Sequence, residues 1–239
     1  MATASEIIQY RFSLPEEELV FDIEMNQASG SLLDPPDDPA HLKGDYPDWT
    51  YLSSNQCSHC PLKTADCDRC PAAVRVHEVL DTFKKSTSIE RVQLQVITPR
   101  RTFQQDCDLQ TALNSMLGLQ MATSGCPILS RLRAMANFHL PLSTFEETLY
   151  RSVSAYLTQQ YFIHKKGGKA DWDLQGLKAF YKDLEILNQA FSMRIQAIEQ
   201  SDAVSNAIVL FFASSIQLAD AIEDGLEEFE DFLTGKSTN

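Results

Sequence analysis

Residues 7–25, IIQYRFSLPEEELVFDIEM, decide the N-terminal half of the fold. Ile8, Tyr10, Phe12 and Leu14 alternate with polar neighbours, and after Pro15-Glu16-Glu17-Glu18 the alternation resumes at Leu19, Phe21, Ile23 and Met25. A period of two with one apolar face is the signature of a half-buried strand. The polar interruption reads as a turn, so the pair predicts an antiparallel hairpin. Residues 91–97 repeat the pattern, with Val92, Leu94 and Val96 on one face and Arg91, Gln93 and Gln95 on the other. That segment is expected to join the hairpin as a third strand.

Beyond residue 108 the apolar period changes to that of a helix. Helices are predicted over 72–85, 108–123, 127–138, 144–165, 174–201 and 203–233. Ser143-x-x-Glu146 and Thr144-x-x-Glu147 are overlapping capping boxes, and Pro71 and Pro127 suit first helical positions. The expected fold is α+β: a small N-terminal antiparallel sheet with one helix, followed by a C-terminal bundle of long helices. The division predicted is 1–105 for the N-terminal α+β region with its Cys-rich loop and 106–239 for the bundle. Residues 28–56, with Gly30, Pro35, Pro36, Pro39, Gly44 and Pro47, read as a long irregular connection. Connections of that length are uncommon unless they carry a function.

The chain of 239 residues holds 33 acids against 20 bases, a net charge of −13. The excess sits at the ends: residues 57–201 carry 14 acids and 17 bases, whereas 1–56 and 202–239 are strongly acidic. Such a balance repels phosphate backbones and anionic lipid, so neither nucleic acid nor membrane is the expected partner. The run Asp220–Asp231, with Leu226, Phe229 and Leu233 at helical spacing, reads as the solvated face of an amphipathic helix. The N-terminal stretch lacks a basic segment followed by a long apolar run, and the expected compartment is the cytoplasm.

The strongest chemical signal is Cys57-Ser-His-Cys60, followed by Cys67-Asp-Arg-Cys70: a C-x2-C-x6-C-x2-C arrangement. Each C-x2-C turn can aim two sulfurs at one centre, which suits a closed zinc site holding the Cys-rich loop. A reducing compartment disfavours the disulfide alternative. A second set stays open. Cys60, Cys70 and Cys126 each precede proline, and a Cys57, Cys60, Cys70, Cys126 set would tie the loop to the bundle as a zinc site or a [4Fe–4S] cluster. In the first reading chelation would loosen residues 30–70 and spare the helices. His59 is expected to point outward from its turn, and Cys107 to be a small buried residue.

Other chemistry is weakly signalled. His139 with Glu146, Glu147 and Arg151 could form an acid–base or metal site, but helix capping and the Glu147–Arg151 pair at i, i+4 account for the acids. Arg100, Arg101, Arg131 and Arg133 could line an anion site but are expected to be solvated or salt-bridged. Phe211 and Phe212 read as bundle core. Phosphate-loop, dinucleotide, nucleophile-elbow and zinc-protease motifs are missing from the sequence, which favours a non-enzyme. The function expected is that of a metal-binding protein acting through contacts with a protein partner or a second copy of itself. An iron–sulfur or thiol-based redox role is the alternative.

Cys57-Ser-His-Cys60-Pro-Leu, Cys70-Pro71, Ile97-Thr-Pro-Arg-Arg, Ala122-Thr-Ser-Gly-Cys126-Pro and His139-Leu-Pro-Leu with Glu146-Glu147-Thr-Leu-Tyr-Arg151 together resemble a bacterial family of uncharacterised proteins, a domain of unknown function. The resemblance implies a bacterial source and one integrated unit spanning most of the chain. It carries no catalytic residue. The Cys-Pro positions are the noticeable ones in that family, which favours the set containing Cys126, whereas spacing alone favours the local set.

Overall fold

The computed structural model describes residues 5–26, 44–198 and 202–235. The hairpin forms as read: β1 (Ser5–Ser13) pairs antiparallel with β2 (Glu18–Asn26), Ile8 facing Ile23 and Tyr10 facing Phe21. β3 (Arg91–Ile97) lies on the other side of β1, with Tyr10 opposite Val96 and Phe12 opposite Leu94. The sheet continues to a fourth strand the sequence reading missed, β4 (Thr102–Asp108), giving the order β2-β1-β3-β4. In Thr-Phe-Gln-Gln-Asp-Cys-Asp only Cys107 is buried. An edge strand can be this polar, because one of its sides faces water and charge there discourages further pairing.

One sheet face carries exposed or half-exposed polar side chains, including Gln93, Gln104 and Asp106. The other carries Ile8, Tyr10, Phe12, Val92, Leu94 and Val96, all buried. Against it pack α1 (Pro71–Thr82) and α2 (Leu109–Ala122). Asp108 caps α2 by accepting from the Thr111 amide at 2.9 Å. Leu109, Leu113, Met116, Leu117, Leu119 and Met121 point in several directions around α2 and are all buried. A helix apolar on so many sides must be enclosed, and α2 lies between the sheet and the remaining helices.

Those helices are α3 (Arg133–Asn137), α4 (Phe145–Lys165), α5 (Gln175–Gln196), α6 (Asp202–Glu223) and α7 (Glu227–Thr234). Two of the predicted helices differ. The segment 127–138 is a 3-10 turn (Leu129–Leu132) and the five residues of α3, so Pro127 does not open a helix. The segment 203–233 is broken at Gly225 (φ +76°) and Leu226 (φ +62°), where two consecutive left-handed residues reverse the helical path before α7. Of the two overlapping capping boxes only Thr144–Glu147 forms, its Oγ1 accepting from the Glu147 amide while Glu147 Oε2 accepts from the Thr144 amide. Ser143 instead pairs with the Thr148 hydroxyl.

A single apolar core runs from the sheet through α1 and α2 into α5 and α6. α6 is long and apolar enough to cross a membrane by length and composition, but here it packs on α2 and α5. Part of the long connection predicted over 28–56, residues 28–43, lies outside the described residues.

Candidate functional site: a thiol cluster at the junction of sheet and helices

Cys57 and Cys60 lie on a turn in which the Cys60 amide donates to the Cys57 carbonyl at 3.0 Å. Cys70 is the residue before α1, where Pro71 takes the first helical position. Cys126 follows α2 in the Ser124-Gly125-Cys126 turn, its amide donating to Ser124 Oγ at 3.2 Å. Three elements far apart in sequence therefore bring these cysteines to one neighbourhood. Burial is the main reason Cys57 is pushed up to about 11, and the neighbouring Cys70 and Cys60 thiols add to it. Burial likewise takes Cys126 up to about 12, with Cys70 and Cys57 again contributing. Cys70 is raised by burial and, to a smaller degree, by Cys60.

Several groups act in the opposite direction and favour thiolate. The Ala72 and Ala73 amides at the start of α1 lower Cys70, and those of Ile128 and Leu129 lower Cys126. Arg194, on α5, lowers both Cys57 and Cys70. Its guanidinium is 2% exposed. Nη1 donates to the Trp49 and Tyr51 carbonyls at 2.6 Å each, and Nη2 to the Leu52 carbonyl at 3.3 Å. Arg194 thus bolts the segment leading into the Cys-rich loop onto the helices and puts a positive charge beside two thiols. Sequence reading did not single it out, since an arginine at the end of a long helix carries no local mark of burial.

Cys67 stands apart. Its thiol donates to the Arg69 carbonyl at 2.9 Å, and with Val74 and Tyr46 it forms a small apolar cluster separate from the main core. Cys126 belongs to the main core, and Cys57 and Cys70 pack against it. Cys107 is buried on β4, as expected, beside Asp108 and Arg91 rather than the other thiols. His59 departs from its expected outward orientation: both ring nitrogens are buried and lack a hydrogen-bond partner among the described residues. Among the described residues, no three His, Cys, Asp or Glu side chains stand in a metal-ligating arrangement. The thiols are neighbours without a formed coordination shell.

The other candidates disperse. His139 Nε2 meets the Tyr10 hydroxyl. Burial, helped by nearby Arg151, holds that imidazole down to about 3 and hence neutral. Glu147 is spent on its cap, while Arg151 Nη2 donates to the Met135 and Phe138 carbonyls at 2.8 and 3.0 Å. No acid–base pair results. Arg131 pairs with Asp183 at 3.4 Å and lies over the Phe180 ring, sharing a pocket wall with Arg133, whereas Arg100 and Arg101 sit exposed in the β3–β4 turn, so the four arginines do not form one site.

No curated protein and no solved structure shows a match to this chain. The model of one family, described as a domain of unknown function, matches residues 8–234, from the first strand to the last helix. With nearly the whole described fold inside that match, the chain belongs to the DUF6901 family.

Proposed function

We propose that the protein binds one metal ion, zinc, through Cys57, Cys60, Cys70 and Cys126, and works through contacts with other proteins. The observation that carries the reading is the meeting of these thiols from the loop, the start of α1 and the end of α2, with Arg194 beside them. Four thiolates around Zn2+ leave a net charge of about −2, which a buried guanidinium and nearby amide dipoles offset. Metal binding would turn the thiols of this neighbourhood inward and deprotonate them. Cys67, hydrogen-bonded within its own turn, fits the set less well than Cys126. Partner contacts are supported by apolar side chains left in solvent at i, i+7 spacing: Ile186 and Met193 on α5, Val209 and Ile216 on α6. Cytoplasmic placement accords with six free cysteines.

A [4Fe–4S] cluster on the same four cysteines is the second reading. Amides directed at cluster sulfurs are a recognised means of tuning such centres, and the amides beside Cys70 and Cys126 favour it. Elemental analysis and a visible spectrum of protein purified without oxygen separate the two. One zinc per chain with no band near about 400 nm supports the first reading; iron with sulfide and a brown colour supports the second. Cys126→Ser should lose metal and Cys67→Ser keep it. Full retention in Cys57→Ser, Cys60→Ser, Cys70→Ser and Cys126→Ser alike overturns both readings.

A further inference from the structure

A cavity of about 270 Å³ is walled by α2, the end of α3, the His139–Thr144 segment, the first turns of α4, and α5 and α6. Its apolar walls include Leu119, Leu184, Phe211 and Leu218, and its rim reaches the exposed residues Thr144 and Phe145. The cavity is therefore open to solvent at one end and apolar at depth. A dry apolar cavity of roughly 150 Å³ takes benzene, so this one can take a molecule of about ten non-hydrogen atoms.

Arg151 is in the wall, half-buried, with the Glu147 carboxylate acting on its charge from one turn away but not in ion-pair contact. Nη2 is committed to the two carbonyls at the end of α3, Nε is buried without a partner, and no carboxylate is in ion-pair contact with it among the described residues. Glu147, one turn away, is held by its capping bonds. A carboxylate is the partner to which arginine binds most strongly. Asn114, also in the wall, has its Oδ1 buried and without a partner among the described residues. Leu142, on the same wall, is held at φ +56° with its amide bonded to Ser115 Oγ at 3.1 Å. Left-handed backbone at a non-glycine residue is strained and collects at binding sites.

We propose that this cavity binds a small carboxylate with an apolar body, the carboxylate at Arg151 and the body between α2 and α6. His139, neutral, brings no competing charge, and the Asn114 carbonyl accepts from a hydroxyl or amide hydrogen where the ligand has one. The inference does not depend on a metal at the thiol cluster, none of whose cysteines lines this cavity.

Hexanoate and hexanamide, matched in length and differing in charge, are the probes, with binding followed by saturation-transfer NMR and by thermal shift of the full chain. Hexanoate should bind with a Kd on the order of 0.1–1 mM and at least tenfold more tightly than hexanamide. Arg151→Met should weaken hexanoate about tenfold or more and erase its advantage over the amide. Because Arg151 also holds the end of α3, a second variant leaves it in place. Gly118→Leu puts a side chain into the cavity where a Cβ meets the Phe211 ring at an ordinary 3.6 Å, and it should exclude both probes. Equal affinity for the two probes, no hexanoate binding at about ten times the expected Kd, or undiminished hexanoate binding in Gly118→Leu overturns the proposal.

Discussion

Arg194→Met tests whether the thiol neighbourhood is held from behind by one buried cation. The guanidinium makes two hydrogen bonds of 2.6 Å and one of 3.3 Å to the carbonyls of Trp49, Tyr51 and Leu52, at 2% exposure. Hydrogen bonds from a charged donor contribute about 1.5–3 kcal/mol each, and every carbonyl left unpaired and buried adds its own desolvation cost. Against this stands the cost of burying the charge, which methionine removes. Two strong bonds and one weak one, less that relief, give a loss of about 3–5 kcal/mol. Arg194→Lys should recover part of it, since an ammonium keeps the charge but does not span three carbonyls as a planar fork does.

Urea unfolding followed by far-UV circular dichroism measures the first effect. The second is electrostatic: with Arg194 gone, the charge that lowers Cys57 and Cys70 is lost. In metal-free folded protein, iodoacetamide labelling of Cys57 should shift to higher pH in the methionine variant and stay near the wild-type profile in the lysine one. A stability loss under about 1 kcal/mol, together with unchanged labelling profiles, would refute the reasoning that this arginine organises the site.

Four further outcomes are expected. His139 is held down to about 3 in the folded chain against about 6.5 unfolded, so its contribution is complete above pH 6.5 and fades towards pH 3, at about 1.4 kcal/mol per pH unit; the slope of stability between pH 4 and 6 should flatten in His139→Gln. Cys126, raised from 9.0 to about 12, contributes below pH 9 and loses that contribution as pH rises towards 12, so metal-free protein should weaken over that alkaline window and Cys126→Ser should weaken less. Asn188 is 4% exposed with neither amide atom partnered among the described residues, and Asn188→Leu should raise stability by about 1–3 kcal/mol in a denaturant titration. Thr144→Ala removes the capping box of α4 and should cost about 1 kcal/mol in the same assay.

Strong period-two alternation made β1, β2 and β3 legible, because each has one face against the core. β4 was invisible for the converse reason: with only Cys107 buried, its position is set by pairing with β3 rather than by its own composition. The helices α2, α4 and α5 were legible through long apolar stripes and the Thr144 cap. The break at Gly225 was hidden because Leu226 and Phe229 continue a helical spacing across it, and both still contact the core. At the candidate site, spacing marks Cys57, Cys60, Cys67 and Cys70 as a local group. It cannot register that Cys126 arrives from the end of α2 or Arg194 from α5, since tertiary proximity leaves no periodic trace. Nor does it reveal that His139 and Arg151, weighed from the sequence as part of an acid–base or metal site, line a cavity.

The placement of the cysteines also bears on how metal and folding are coupled. A clip confined to Cys57, Cys60, Cys67 and Cys70 would cross-link one loop, and chelation would loosen that loop while the helices kept their own burial. A set containing Cys126 cross-links the loop, the start of α1 and the end of α2. Because α2 is enclosed between the sheet and α6, and because the apolar core is continuous from Tyr10 to Ile222, removing that cross-link reaches both halves at once. Chelation of metal-loaded protein should then lower the melting temperature in one cooperative transition, with sheet and helix signals falling together, and in Cys126→Ser the chelator should have no further effect. A chelator-treated chain that is cut by protease within residues 44–70 while its helical signal and melting temperature hold would show the cross-link to be local, and would return Cys67 to the set in place of Cys126.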